Sequence, residues 1–352
     1  MLIINILPPP LFFIHTSSHV HHIVPQKTTG EGKRRSPSIS CIRLVAMSLI
    51  ILCHIYQYYG SELAWWLNVG VQIFFVLSGF LYGNKRIDEP IEWIRKQFVK
   101  ILPSYYLFIF ITVILYLIFS PETLSIKEIA GSIFCVGTLK GIGHLWFVGN
   151  ILICYLLTPY LDWIFRRNAE RKFLSNFKKL ILLAVVFTFT GIYLQSYFRP
   201  GHILCYIVGY VLSVTYRDYG DKVIYNTMIL SGVVAFVLKS VYAYLKYFKN
   251  VEMIGIWSHF HDYSHMVLGL FITTLLLVLL YKVPQQRVVS FSDKYSYEIY
   301  IVHQLFILSP LTLMDLTNYL VVNVVVTLLS IGISGIVLKT MTRKLQKTIK
   351  IA

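Results

Sequence analysis

The chain has 352 residues, of which 56% are hydrophobic and only 14% are charged. A soluble globular protein carries charge on about a quarter of its residues, so this composition excludes an ordinary soluble fold and favours the bilayer as solvent. The net charge of +16 is typical of proteins that bind nucleic acid, but basic residues also collect in the cytoplasmic loops of membrane proteins, and we expect no nucleic-acid partner.

Residues 1–40 differ from the rest of the chain, because Pro8, Pro9 and Pro10 interrupt a short apolar start and no long apolar run follows. The stretch lacks a signal-peptide cleavage pattern, and we interpret it as a disordered tail or an over-called translation start. Histidine is a common metal ligand, but we expect no metal site in this tail. Its histidines are His15, His19, His21 and His22.

Ten apolar stretches follow, each long enough to cross a bilayer as a helix and without the alternation of a barrel strand. We predict an all-α, polytopic bundle of about ten transmembrane helices that forms one domain over residues 41–345. The segment 91–102 is short, amphipathic and basic, so we expect it to lie on the membrane surface. Residues 126–141 form another short, non-spanning stretch. The predicted spans are 41–59, 64–83, 103–120, 145–165, 178–198, 200–216, 226–245, 264–282, 296–314 and 318–340.

The basic residues of the loops orient this map. With the N-terminus in the cytoplasm, 26 of the 32 Lys and Arg residues fall in cytoplasmic segments. Because cytoplasmic loops carry an excess of Lys and Arg, we predict that both termini are cytoplasmic. The five cysteines contain no CxxC pair, and we interpret them as small packing residues.

The first predicted helix carries two ionisable residues, Arg43 and His54. Eleven residues correspond to three turns plus about 20°, so both side chains lie on one face, about 16 Å apart along the helix axis. A histidine near the bilayer centre can accept and return a proton near neutral pH. Two plainer interpretations stay open, a packed histidine and an arginine that anchors the helix at the headgroups.

The second predicted helix and the loop after it carry small and basic residues. Ser78 and Gly79 permit close approach of a neighbouring helix. Lys96 and Lys100 lie one helical turn apart on the same face, which suits either a phosphorylated ligand or anionic lipid headgroups. The basic residues of this loop are Arg86, Arg95, Lys96 and Lys100.

Two later helices carry polar residues in apolar surroundings. The fourth predicted helix opens with HLWF at 144–147, an arrangement typical of the outer membrane interface. The ninth carries Glu298 and His303. A glutamate inside an apolar helix is costly unless it is paired, and we expect Arg43 or Lys294 to be its partner.

With these residues in place, the chain resembles the membrane-bound acyltransferase 3 family, which includes bacterial O-acyltransferases that modify polysaccharides. The resemblance covers residues 41 to about 340 and includes the ten-helix layout with both ends inside. Four motifs in the family's order and spacing carry it. They are Arg43 to His54, FFVLSGFL at 74–81, KQFVKILPSYY at 96–106, and HLWF at 144–147 supported by Tyr297, Ile299, Tyr300 and His303.

The resemblance implies an enzyme of the bacterial inner membrane that moves an acyl group, usually acetyl, from cytoplasmic acyl-CoA to a sugar hydroxyl. The acceptor it implies is a surface or capsular polysaccharide or its lipid-linked precursor, and no metal is expected. It implies that His54 is the base or acyl relay and that Arg43 handles the donor or orients His54. For the phosphates of coenzyme A it implies Lys96, Lys100, Arg95 and Arg86. For the lining of the cavity the candidates are His144, Trp146, Ser78, Glu298 and His303.

Two departures from the family pattern leave alternatives open. The family's paired loop arginines are lysines here, which bind phosphate as point charges without a bidentate fork. HLWF is followed by Asn150 and no acid, unlike one branch of the family that carries an appended soluble domain, so the acceptor stays open. The alternative functions are a transporter or flippase of a lipid-linked sugar, which the lack of an inverted sequence repeat disfavours, and an acyltransferase with a non-glycan acceptor.

Overall fold

The structure is a computed structural model that describes residues 36–167, 178–186, 200–252, 254–284 and 286–348. Within these ranges the secondary structure is helical and contains no strand, as predicted. Residues 1–35 of the predicted tail 1–40 lie outside the described residues. The first helix, α1, begins at Pro37, and its first turn is already buried at Ser38, Ile39 and Ser40, so the fold starts a few residues earlier than predicted.

The helices follow one another with short turns between them. The first half contains α1 (Pro37–Tyr58), α2 (Leu63–Leu67), α3 (Val69–Gly83), α4 (Pro90–Phe119), α5 (Ile126–Ile133) and α6 (Trp146–Asp162). The second half contains α7 (178–186), α8 (Pro200–Tyr219), α9 (Asp221–Ala243), α10 (Ile256–Leu280), α11 (Arg287–Ile307) and α12 (Leu320–Thr348). Single π-helical stretches continue α6 over Trp163–Arg167 and α9 over Tyr244–Phe248.

Seven stretches of the described chain are long and apolar enough to cross a membrane. A helical crossing needs about 20 predominantly apolar residues, and these stretches meet that need, which makes the chain a multi-pass membrane protein. They are Pro37–Tyr58, Leu63–Gly83, Pro90–Phe119, Gly143–Phe165, Asp221–Phe248, Ile256–Leu280 and Leu320–Thr348.

Three of the ten predicted spans are not among these seven. The span 178–198 is described only over 178–186, which is helical. The span 200–216 corresponds to α8, most of whose side chains are buried inside the bundle. The span 296–314 corresponds to α11, which directs buried polar side chains such as Glu298 and His303 into the bundle. The count of ten crossings and the cytoplasmic placement of both ends therefore stay predictions.

The predicted surface helix 91–102 is wrong as a separate element. Helix α4 runs without a break from Pro90 to Phe119 and passes through Pro103. Its 30 residues extend over about 45 Å, whereas the hydrocarbon core of a bilayer is about 30 Å thick. The basic first turns of α4 therefore continue the axis of the membrane helix beyond its apolar part. They do not form a separate helix that lies parallel to the membrane surface. The stretch 126–141 contains only the short α5, as predicted.

Helices α3 and α8 pack backbone against backbone. A Cβ atom at Gly79 would overlap the carbonyl of Tyr206, and one at Gly209 would overlap the carbonyl of Val76. Small residues allow this close approach between membrane helices, which confirms the interpretation of Gly79 as a packing residue. The contact fixes α3 in the bundle and thereby positions the neighbouring Ser78, whose side chain faces the other way, into the site.

Helices α1 and α11 run side by side in the same direction. Arg43 contacts Asp293 near their starts, and the ring of His54 contacts that of His303 near their ends. We call these two levels of the bundle the Arg43 end and the His54 end. Between them lie the cavity and the side chains that form the candidate site.

Candidate functional site

Three histidines from different parts of the chain meet at the His54 end. His54 belongs to α1, His144 to the 3-10 turn Gly143–Leu145 before α6, and His303 to α11. The ring centroids are 4.4 Å apart for His144 and His303, 5.1 Å for His54 and His303, and 6.5 Å for His54 and His144. The structure thus gathers the predicted catalytic histidine and two of the predicted lining residues into one histidine cluster.

Gln304, which the sequence analysis did not single out, joins two rings of the histidine cluster. Its Oε1 accepts a hydrogen bond from the backbone N–H of His144 at 3.0 Å and lies 2.9 Å from Nδ1 of the same residue. The backbone contact fixes which end of the amide is oxygen. The Nε2 group therefore faces the ring of His54 and lies 3.0 Å from its Nε2 and 3.1 Å from its Nδ1. Gln304 is 4% exposed, so its amide is held by these partners rather than by water.

The ring nitrogens of His144 both face oxygen atoms, Oε1 of Gln304 and the carbonyl of Ile301, each at 2.9 Å. A neutral imidazole carries only one N–H, so both contacts are hydrogen bonds only when His144 is protonated. In His303, Nδ1 donates to the carbonyl of Tyr300 at 2.5 Å, which leaves the lone pair of the neutral ring at Nε2. The described residues supply no hydrogen-bond partner to that nitrogen. The cluster thus contains one ring that is held at both nitrogens, His144, and one ring nitrogen without a partner among the described residues, Nε2 of His303.

A cavity of about 340 Å³ lies between the Arg43 end and the histidine cluster. Side chains of α1, α3, α4, α6, α11 and α12 line it. Its charged lining contains four cations and only two carboxylates, which leaves an excess of positive charge suited to an anionic ligand. The charged lining residues are Arg43, Lys100, Asp293, Lys294, Glu298 and Lys339.

Two ion pairs organise the charges of the cavity. The Arg43 guanidinium donates to Oδ1 of Asp293 at 2.9 Å, and Nζ of Lys339 donates to Oε2 of Glu298 at 2.8 Å. The prediction that Arg43 or Lys294 pairs with Glu298 is therefore wrong. Asp293 lies on α11 five residues before Glu298 and forms the ion pair with Arg43. Glu298 faces α12 and pairs with Lys339 of that helix.

The structure separates the four basic residues that were predicted to bind coenzyme A. Lys100 lines the cavity. Arg95 and Lys96 instead contact Glu92 on the surface of α4, where their side chains are 68% and 61% exposed. Arg86 pairs with the nearby Asp88 in an equally exposed position. The geometry does not bring these three into the cavity, and their contact with a donor stays a prediction.

The other predicted lining residues also divide. Ser78 and Glu298 line the cavity. The ring of Trp146 packs against that of His202 at a centroid distance of 4.7 Å and lies outside the described lining. Lys294 and Lys339, which the sequence analysis used only as topology signals or as a partner for Glu298, belong to the cavity instead.

Three aromatic side chains that line the cavity contact one another, and we call them the aromatic layer: Phe74 of α3, Phe147 of α6 and Tyr300 of α11. The ring centroids of Phe147 and Tyr300 are 4.9 Å apart, and Phe74 lies 6.4 Å from each. The Tyr300 ring lies 5.3 Å from that of His144, and its hydroxyl donates to the His144 carbonyl at 2.9 Å. The layer therefore lines the cavity and contacts the cluster through Tyr300.

Two comparisons with known proteins give matches to this chain. A family model described as an acyltransferase domain, that of acyltransferase 3, matches residues 36–339. A peptidoglycan O-acetyltransferase of Listeria monocytogenes is 28% identical over 134 residues, which cover 35% of this chain and 20% of the relative. The match thus spans about one fifth of the relative's length. No solved structure matches the chain.

Proposed function

Since the chain belongs to the acyltransferase 3 family and is a membrane acyltransferase, we propose that it transfers an acetyl group from cytoplasmic acetyl-CoA to a sugar hydroxyl of a surface polysaccharide or its lipid-linked precursor. Family membership removes the alternative of a transporter or flippase. The observation that carries the proposal is the succession, along α1 and α11, of a positively charged cavity and a histidine cluster.

The donor is proposed to enter from the Arg43 end. The excess of basic residues in the adjoining segments supports a cytoplasmic position for that end. Coenzyme A carries phosphates, and Lys100, Lys294 and Lys339 provide ammonium groups at the mouth of the cavity. Arg43, which Asp293 holds at 2.9 Å, presents the planar donor fork that suits a phosphate or a carbonyl oxygen. The remainder of the cavity receives the pantetheine arm and directs the thioester towards the histidines.

The acceptor hydroxyl is proposed to approach from the His54 end. A ring nitrogen of His54 takes the hydroxyl proton as the oxygen attacks the thioester carbonyl, and the carbon–sulfur bond then breaks. The thiolate of coenzyme A leaves and recovers the proton from His54, so the products are an O-acyl sugar and free coenzyme A. Gln304 contacts the His54 ring on one side and thereby orients it during this exchange.

A glycan acceptor is supported by the relative from Listeria monocytogenes, whose name gives peptidoglycan as its acceptor. The limited coverage of that relative leaves the glycan and the acetylated position to experiment. We propose that the protein resides in the inner membrane of a bacterium, with the donor and acceptor reaching the site from opposite faces.

The test uses the full chain, reconstituted in proteoliposomes and supplied with acetyl-CoA carrying a labelled acetyl group. We expect release of free thiol and transfer of label to added peptidoglycan or capsular fragments as an ester that mild alkali removes. His54→Ala should abolish both signals while its expression and membrane insertion match wild type. Equal transfer by wild type and His54→Ala would falsify the assignment of His54.

The acceptor is tested by mass spectrometry of surface glycans from strains with and without the gene. Loss of O-acetyl groups from a glycan in the deletion strain supports the proposal. Unchanged glycans together with thiol release by the purified protein point instead to an amino acid, peptide or lipid acceptor, the remaining alternative.

A further inference from the structure

The cavity ends at the aromatic layer, before it reaches the histidine cluster. Phe74, Phe147 and Tyr300 line the cavity, whereas none of the three cluster histidines is among its described lining residues. An acyl group that reaches the histidines must therefore meet these rings. This observation concerns the shape of the site and is independent of its charge.

Helix geometry locates the layer one turn from the cluster. Phe147 in the first turn of α6 follows His144 of the preceding 3-10 turn by three residues, and on α11 Tyr300 precedes His303 by three residues. Three residues correspond to about 4.5 Å along a helix axis. A thioester carbonyl within reach of the histidines therefore lies beside the aromatic layer, and the acyl chain attached to that carbonyl extends among the three rings.

We propose, resting on the proposed function above, that the aromatic layer restricts the donor to short acyl groups, and that Phe74 is the residue that sets this limit. The ring centroids are 4.9–6.4 Å apart, which is the spacing of rings in contact. A methyl group fits beside such rings with a small rotation, whereas a longer chain displaces packed side chains. One additional methylene in an apolar pocket changes selectivity by about 10–200-fold.

Phe74 is the residue of the layer best suited to this role. Phe147 is buried in the main hydrophobic core, and Tyr300 holds the His144 carbonyl, so both also support the structure around the cluster. Phe74 is only half-buried. Its neighbour Phe75 is fully buried and contacts Phe147 and His202 but is not among the described lining residues of the cavity, which makes Phe75 a matched control on the same helix.

The experiment compares kcat/KM for acetyl-, propionyl-, butyryl- and hexanoyl-CoA in wild type, Phe74→Leu, Phe74→Ala and Phe75→Leu, all as full-length reconstituted protein. We expect wild type to favour acetyl over butyryl by at least about 10-fold per added methylene, the lower end of the range above. Phe74→Ala should raise the butyryl-to-acetyl ratio by at least about 10-fold, with Phe74→Leu intermediate, and Phe75→Leu should keep the wild-type ratio. If Phe74→Ala does not fold, Phe74→Leu provides the same readout with a smaller change in the ratio.

Two results would overturn the proposal. One is a wild-type enzyme that uses hexanoyl-CoA as well as acetyl-CoA. The other is an unchanged butyryl-to-acetyl ratio in Phe74 variants that still transfer acetyl. Both leave the proposed acetyl transfer intact, whereas a wild-type protein that transfers no acyl group from any of the four donors defeats the proposed function itself.

Discussion

The guanidinium of Arg43 and the carboxylate of Asp293 form an ion pair at 2.9 Å across the contact between α1 and α11. Ten residues further along α11 and eleven along α1, the rings of His303 and His54 lie 5.1 Å apart. The ion pair therefore sets the register of two parallel helices whose other ends carry the histidine cluster. Asp293 is almost fully buried, and the guanidinium of Arg43 compensates its charge.

This relationship predicts that Asp293 acts through Arg43. Asp293→Asn removes the charge but keeps the size of the side chain, and the loss of a charge-assisted hydrogen bond costs about 1.5–3 kcal/mol. We expect kcat/KM for acetyl-CoA to fall about 10–100-fold. In the Arg43→Gln background the same change should add little, because the two residues share one interaction. Additive losses in this double-mutant cycle, measured by thiol release, would refute the coupling.

Gln304 is predicted to position His54. Gln304→Leu keeps an apolar volume but removes the Nε2 donor to His54 and the Oε1 acceptor for His144. General acid–base catalysis contributes about 100–10,000-fold, and a residue that only orients the base should supply part of this, so we expect kcat to fall about 10–100-fold. KM for acetyl-CoA should stay within about 3-fold of wild type because the cavity is untouched.

Two controls separate this role from a structural one. Gln57 also contacts His54, at 2.9 Å, but is exposed. Water can replace an exposed partner, so Gln57→Ala should leave kcat within about 3-fold of wild type. In the His54→Ala background, Gln304→Leu should cause no further loss. A rise in KM for acetyl-CoA as large as the fall in kcat would instead indicate that the substitution disturbs the helix bundle.

Much of the fold and part of the site could be predicted from the sequence. The apolar runs located the membrane helices, and the eleven-residue spacing placed Arg43 and His54 on one face, because both follow from local periodicity. The gathering of His144 and His303 around His54 came from motif order alone. The resemblance to a family indicated that these residues share one site, because periodicity within a helix does not show which helices are neighbours.

The errors arose where a choice depended on tertiary contacts. Glu298 had several basic residues within reach along the sequence, and only packing against α12 selects Lys339. Lys96 and Lys100 share a helix face, but Lys96 forms an ion pair with Glu92 at the surface, whereas Lys100 lines the cavity. Gln304 was overlooked because an amide in an apolar helix is not an ionisable group, although its position directly after His303 is visible in the sequence.

The contact between α3 and α8 predicts a large loss of stability at Gly79. A valine there places its Cβ on the carbonyl of Tyr206, and forcing extra atoms into a packed interior costs about 1–3 kcal/mol or more. Gly79→Val should therefore unfold at clearly lower temperature in detergent, followed by tryptophan fluorescence. Gly332→Val on α12 is the matched control, because a Cβ at Gly332 has no atom of the described chain within 4 Å. Equal melting temperatures for both variants would contradict this account of the helix contact.

The positions of the lysines predict which of them bind the donor. Lys100→Ala and Lys294→Ala remove charges from the cavity, and each should raise KM for acetyl-CoA about 10-fold, the equivalent of one charge-assisted hydrogen bond. Lys96→Ala removes a charge already paired with Glu92 at the surface, where an ion pair contributes about 0–1 kcal/mol, and should change KM less than about 3-fold. Acetyl-pantetheine, which lacks the nucleotide phosphates, is the control donor, and with it the cavity variants and wild type should have similar KM values. If Lys96→Ala raises KM for acetyl-CoA as much as Lys294→Ala does, the donor also contacts the exposed face of α4, as the motif resemblance implies.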